Sequence, residues 1–324
     1  MSTRANGAYV APAWLPGGHA QTIYASVRPR PEIRYRRERR ETPDGDFIDF
    51  DWLDASGPAG DATPLVALFH GLEGSSSSHY ALALMGELAM AGWRGVVPHF
   101  RGCSGEPNLR ARAYHSGDYT EVGWMLAQIR AAAPFAPLFA VGVSLGGSAL
   151  LNWLGREEGG ARTVLAAAAA VSTPLDLTAA GIAIDIGLNR IYSRHFLWTL
   201  VPKAIGIAKR FPGLLDRKAI ARANSMHSFD EAVTAPLHGF AGADDYWKRA
   251  SSKPWLRAIA VPTLVLNARN DPFIPDSSLP TPAEASRAVT LEQPAHGGHG
   301  GFPRSLGEPR DWMPRRLLNF FQTT

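Results

Sequence analysis

From Pro64 onward, short and almost wholly apolar runs alternate with longer stretches of helical periodicity. The runs LVALFH (65–70), GVVPHF (95–100), LFAVGV (138–143), TVLAAAAAV (163–171), TLVLNA (263–268) and AVTLE (288–292) have the length of buried strands rather than helices. Helices are predicted over Tyr80–Ala91 and about Tyr119–Ala132, and a third begins near Leu145. Strands without a polar face imply a mostly parallel sheet covered on both sides by helices. Upstream, two short strands around Ile33–Arg37 and Phe47–Trp52 flank a reversal at Pro43-Asp44-Gly45. The alternation in FIDFDW fits a half-exposed strand, and the Pro-, Gly- and aromatic-rich residues before about Arg30 read as an extended strap.

The rhythm breaks between Ser172 and Ser252, where GIAIDIGLNRIYSRHFLWTLVPKAIGIAKRF carries apolar residues at helical spacing. Buried strands tolerate no such insertion, so it should emerge beyond a strand end. Helices over the carboxyl ends of the strands would form a lid; helices packed on the side of the sheet are the alternative. The expected organisation is therefore a strap and first part of the core over 1–171, a helical lid over 172–252, and the rest of the core over 253–324.

Composition adds exclusions. Of 324 residues, 45% are hydrophobic and 19% charged, which fits a folded enzyme and not a disordered, fibrous or repeat protein. The surplus of 33 Lys and Arg over 29 Asp and Glu is too small to imply a nucleic-acid partner. A local basic run, Arg34–Arg40, suits either an anionic contact or a charged edge strand that resists sheet-to-sheet association. Cys103 stands alone, which excludes an intrachain disulfide and a thiolate metal cluster. The opening MSTRANGAYVAPAWLPGG lacks the apolar run of a signal peptide, and Val164–Val171 is too short to span a membrane. A cytoplasmic protein with no integral membrane segment is expected, with peripheral lipid contact and oligomeric state open.

The chemistry centres on Gly142-Val143-Ser144-Leu145-Gly146-Gly147, which follows a buried strand and opens an apolar helix. That context makes a G-x-S-x-G string a nucleophile elbow. A serine hydroxyl needs a base, and His299 lies in a glycine-rich loop after the last strand, with His296 a rival three residues away. Asp271 follows TLVLNA and so sits at the same sheet end as Ser144; Asp276 is the nearest spare carboxylate. The order Ser144, Asp271, His299 is that of hydrolases with this elbow. Oxyanion donors are expected from the backbone of Leu145 and, in the His70-Gly71-Leu72-Glu73-Gly74 turn, Leu72. His70 should fix that turn, and Glu73 should point away from a site of developing negative charge. Cys103 lacks the strand-to-helix setting of a nucleophile. No metal or organic cofactor is required.

These segments together resemble the YheT-like, or ABHD1/2/3-like, branch of the α/β hydrolases. The likeness begins at Trp14-Leu15-Pro16-Gly17-Gly18-His19-Ala20-Gln21-Thr22-Ile23-Tyr24 and continues through HGLEG (70–74), FRGCSGEPN (100–108) and GVSLGG (142–147). It extends over Gly239-Phe240, Asp245-Tyr246, Ser251, Ile259, Pro262 and Asn270-Asp271 to GGHGGF (297–302). Tyr246-Trp247 departs from the family's tyrosine pair and loses one hydroxyl. The resemblance implies an α/β-hydrolase fold with a helical lid, carries the base role to His299, and implies hydrolysis of short- to medium-chain carboxylic esters. Lipase or phospholipase action on longer acyl lipids is the near alternative, and a noncatalytic lipid-binding protein on the same scaffold the distant one; amidase or thioesterase chemistry could use the same groups. Leu188, Ile191, Phe196, Leu197, Trp198 and Phe211 are candidates for an acyl pocket under the lid, and Arg101 and Arg194 for a polar head group.

Overall fold

The computed structural model describes residues 8–55, 60, 62–304 and 310–324; the start of the strap and part of the signal-peptide reading, at residues 1–7, lie outside it. Within these residues one eight-stranded sheet has the order β1-β2-β4-β3-β5-β6-β7-β8. The strands are β1 (Arg36–Glu41), β2 (Phe47–Leu53), β3 (Leu65–Phe69), β4 (Arg94–Pro98), β5 (Leu138–Val143), β6 (Ala167–Val171), β7 (Thr263–Leu266) and β8 (Val289–Glu292). Strands β3 to β8 are parallel, β2 runs antiparallel to β4, and β1 antiparallel to β2.

Both faces of β3 to β7 are buried, as their apolar runs require, whereas the edge strand β8, also expected to be buried, is only half-buried because it has a neighbour on one side alone. On β3, Leu65, Ala67 and Phe69 face one core with Leu126, Leu150 and Trp153, while Val66 and Leu68 face another with Leu84, Met85 and Leu317. The first core is closed by α3 (Tyr119–Ala132) and α4 (Leu145–Glu157), the second by α2 (His79–Ala91) and α11 (Trp312–Thr323). The strap is not wholly extended: Gly18–Val27 forms α1.

Three other expectations change. The first strand starts at Arg36 rather than Ile33, because the tight turn closed by Thr42 and Asp46 sets the hairpin register and pairs Arg37 with Asp51 and Arg39 with Asp49. Those arginines grip the carboxylates with paired hydrogen bonds of 2.7–2.9 Å. Strand β2 is consequently buried along its whole length, not half-exposed, and the basic run is largely matched by Asp49, Asp51, Asp54 and Glu38. The run 163–171 contributes only Ala167–Val171, since Glu158–Thr163 winds into a 3-10 turn.

Between β6 and β7 lie α5 (Leu177–Ile184), α6 (Arg190–Arg210), α7 (Arg217–Arg222), α8 (Met226–Phe229), a π-turn at Asp230–Thr234, α9 (Ala235–His238) and α10 (Ala243–Ala250). Leu197, Leu200, Ala204, Ile220, Phe229 and Val233 form a separate small core there, against which Leu72 packs. Asp185 knits these helices by accepting from Ser193 Oγ and from the backbone N–H groups of Met226 and His227.

Candidate active site

Ser144 sits between β5 and α4 at φ 53°, ψ −121°, a backbone strain common where a side chain must be presented at a sharp turn. Its neighbours leave no room for larger residues: a Cβ on Gly146 would collide with the backbone of Phe69 and His70, and one on Gly142 with Gly146 and Gly147. The strand end is pinned by the hydrogen bond from Ser144 N–H to Val171 O, 2.9 Å.

The three separated polar residues converge on one line. Asp271 follows β7, its side chain fully buried, and Phe273 N–H donates to its Oδ1 at 2.8 Å. Its Oδ2 lies 2.8 Å from His299 Nδ1, and His299 Nε2 lies 2.9 Å from Ser144 Oγ. A carboxylate accepts only, so Nδ1 carries the proton and Nε2 is left to accept from the serine hydroxyl. Phe273 stacks obliquely on the imidazole at 4.3 Å between centroids. The rivals are elsewhere: His296 is exposed beside Asn270, and Asp276 pairs with Arg269 at 3.0 Å.

The loop carrying His299 is held from the strap. Gly298 and Gly300 both have positive φ, so the chain folds tightly around His299. Thr22 Oγ1 accepts from His299 N–H at 2.9 Å, and Gln21 Oε1 accepts both from Gly297 N–H at 2.8 Å and from Asn270 Nδ2 at 3.0 Å. Gln21, almost wholly buried, also donates to Leu15 O. Asn270 Oδ1 in turn accepts from Gly298 N–H. One helix of the strap thus ties together the loops carrying Asp271 and His299.

In the turn after β3, the N–H groups of Gly71, Glu73 and Gly74 are taken by Tyr80 OH, Tyr114 OH and Gly71 O. Leu72 N–H has no such partner among the described residues, and Leu145 opens α4, where N–H groups precede the first intrahelical acceptor. A Cβ on Gly71 would touch Ser144 Cβ, so this turn abuts the serine. His70 fixes it: its Nδ1–H donates to Gly71 O at 2.8 Å and its Nε2 accepts from Phe100 N–H at 3.1 Å. Complete burial pushes the His70 imidazole down to about 3, so it stays neutral in that role. Glu73 lines the same cavity as Ser144, and there Lys203 of α6 pairs with it at 2.8 Å and Tyr114 OH donates to it at 3.0 Å.

A family model described as alpha/beta hydrolase fold matches residues 64–304. The chain is 38% identical to YheT of Escherichia coli K12 over 289 residues, covering 88% of this chain and 84% of that one. It is 31% identical to human phospholipase ABHD3, over 97% of this chain and 78% of that one. The chain belongs to the YheT/ABHD-like α/β-hydrolase family. Among solved structures, the esterase EaEST from Exiguobacterium antarcticum shares the fold at a TM-score of 0.56 and 14% identity, covering 89% of this chain and 100% of that one.

In this α/β hydrolase Ser144 and His299 line a partly open cavity of about 720 Å³. Leu177, Ile184, Leu200, Ile207, Phe229 and Phe273 supply much of an apolar wall. Of the six residues predicted for an acyl pocket, Phe196 lines it and Leu188, Ile191, Leu197, Trp198 and Phe211 do not. The apolar period identified helix α6 but not which stripe turns inward: Leu197 is buried in the small helical core, whereas Leu188, Ile191 and Trp198 are 70%, 66% and 79% exposed. Arg101 reaches the cavity, yet its guanidinium is occupied by Asp44, Asp46 and Glu121; Arg194 is exposed. Cys103 lines the cavity too, but burial pushes its thiol up to about 12 and keeps it protonated. The roles of Gln21, Thr22, Phe273 and Lys203 escape sequence reasoning; the first two stood only within the Trp14–Tyr24 stretch that carries the family resemblance.

Proposed function

We propose that this hydrolase is a serine carboxylesterase for short- to medium-chain acyl esters, with Ser144, His299 and Asp271 as nucleophile, base and acid. The observation that carries the reading is the continuous Asp271–His299–Ser144 line, with contacts of 2.8 and 2.9 Å. Ser144 Oγ attacks the ester carbonyl as His299 Nε2 takes its proton, and Asp271 holds the imidazole and balances the imidazolium. The carbonyl oxygen, now anionic, receives the N–H groups of Leu145 and Leu72. His299 returns the proton to the departing alcohol, and water repeats the sequence on the acyl-enzyme to release the acid and free Ser144.

In the same reading residues 172–252 act as a lid, supported by their separate core and its packing on Leu72. A cytoplasmic location is compatible with the absence, among the described residues, of any helix long and apolar enough to cross a membrane. Hydrolysis of longer acyl lipids is the second reading, favoured by the size and apolar wall of the cavity and by the similarity to phospholipase ABHD3. Initial rates on p-nitrophenyl esters from acetyl to palmitoyl decide between them. A maximum at four to eight carbons is expected for the first reading and a long-chain maximum for the second, with Ser144→Ala reducing turnover by at least about a thousandfold. Equal rates in the two proteins would remove Ser144 from its role.

A further inference from the structure

Helix α6 has two different faces. Phe196, Leu200, Ala204 and Ile207 line the cavity, whereas Ile191 and Trp198, one i, i+7 stripe, face outward. Thirteen large hydrophobic side chains are exposed among the described residues, and five of them, Ile182, Ile186, Leu188, Ile191 and Trp198, fall within the seventeen residues 182–198. Isolated exposed hydrophobics need no explanation, but this concentration on one short segment does.

Charge narrows the partner. Residues 186–222 hold eight Lys and Arg against a single acid, Asp216, so this segment carries more positive charge than the whole chain's surplus of four, and the remainder of the molecule is net negative. Lys203 is spent on Glu73, and Arg210 on the backbone carbonyls of Asn108 and Leu109. Arg190 and Arg194, exposed beside the apolar stripe, make no ion pair among the described residues. An apolar stripe edged with unpaired cations matches the interface of an anionic membrane, where apolar side chains enter the acyl boundary and arginines meet headgroup phosphates.

We propose that the outer face of α6, with the turn 186–189 before it, docks on an anionic phospholipid surface. Docking there places the bilayer against the helix that walls the cavity, so an ester leaving the membrane has one helix to pass. The surface goes beyond the esterase reading and does not depend on it, since no docking residue lines the cavity.

The test is flotation of the full chain with phosphatidylcholine vesicles, with and without phosphatidylglycerol, together with hydrolysis of a water-soluble p-nitrophenyl ester in the same preparations. Binding is expected on phosphatidylglycerol-containing vesicles and to weaken with salt. Both the triple variant Leu188→Ser/Ile191→Ser/Trp198→Ser and the pair Arg190→Glu/Arg194→Glu should lower partitioning by about tenfold or more while leaving soluble-ester hydrolysis at the wild-type rate. The proposal is overturned if the wild type stays off anionic vesicles, if either variant partitions like the wild type, or if sedimentation shows copies of the chain pairing through this face without vesicle binding.

Discussion

Glu73 poses a problem at the residue scale: a carboxylate one position beyond the proposed oxyanion donor Leu72, at the wall of the cavity that holds Ser144, opposes charge developing on a substrate oxygen. Lys203 answers it with an ion pair of 2.8 Å. The lysine is nearly half exposed, which limits the pair to about 1 kcal/mol or less in stability, but the electrostatic effect on a nearby oxyanion is felt in turnover. Lys203→Met should lower kcat about fivefold, and adding Glu73→Gln should restore it, because the second change removes the charge the first exposed. Unchanged kcat in the single variant, or a deeper loss in the double, would show that Glu73 is not felt at the reacting atoms. At this scale the positions of Ser144 and Asp271 were legible because each stands at a strand end, whereas the glycine loop offered both His296 and His299 and the family resemblance favoured the second. Lys203 was not, since nothing in a helical repeat says which residue of another segment it meets.

Among the elements, α1 carries the least anticipated role. Its sequence is short, opens on Gly17-Gly18 and reads as extended, yet it folds as a helix whose Gln21 and Thr22 accept from the N–H groups of Gly297 and His299. Removing the Gln21 amide with Gln21→Ala leaves the buried Gly297 N–H without its acceptor, a cost of about 1–3 kcal/mol. The loop bearing His299 then loses one of its anchors, and kcat should fall about tenfold with KM little changed, since the cavity wall is untouched. Steady-state kinetics that found kcat preserved would reduce α1 to packing alone. Helix α6 teaches the complementary lesson. Its period was readable, and so was its apolar content, but the inward stripe is selected by what α6 packs against; Phe196 turned in while Ile191 and Trp198 turned out.

At the scale of the whole molecule, the parallel strands deliver their carboxyl ends to one side, and there the chain assembles groups 155 residues apart, Ser144 and His299, to within 2.9 Å. The doubly covered sheet was legible because the five apolar runs that form β3 to β7 leave no solvent face. The edge hairpin was less so, because Asp49 and Asp51 look like solvent positions until Arg39 and Arg37 are seen to cover them. If Ser144 is the nucleophile, its reactivity belongs to this assembly and not to the local peptide, which makes covalent trapping the most direct measurement. The folded protein should react with a fluorophosphonate probe at Ser144, as located by peptide mass spectrometry. Ser144→Ala and urea-unfolded wild type should remain unlabelled. Labelling of another residue in the folded wild type, or equal labelling of the folded Ser144→Ala protein, would contradict the assignment of Ser144, His299 and Asp271 as the working centre.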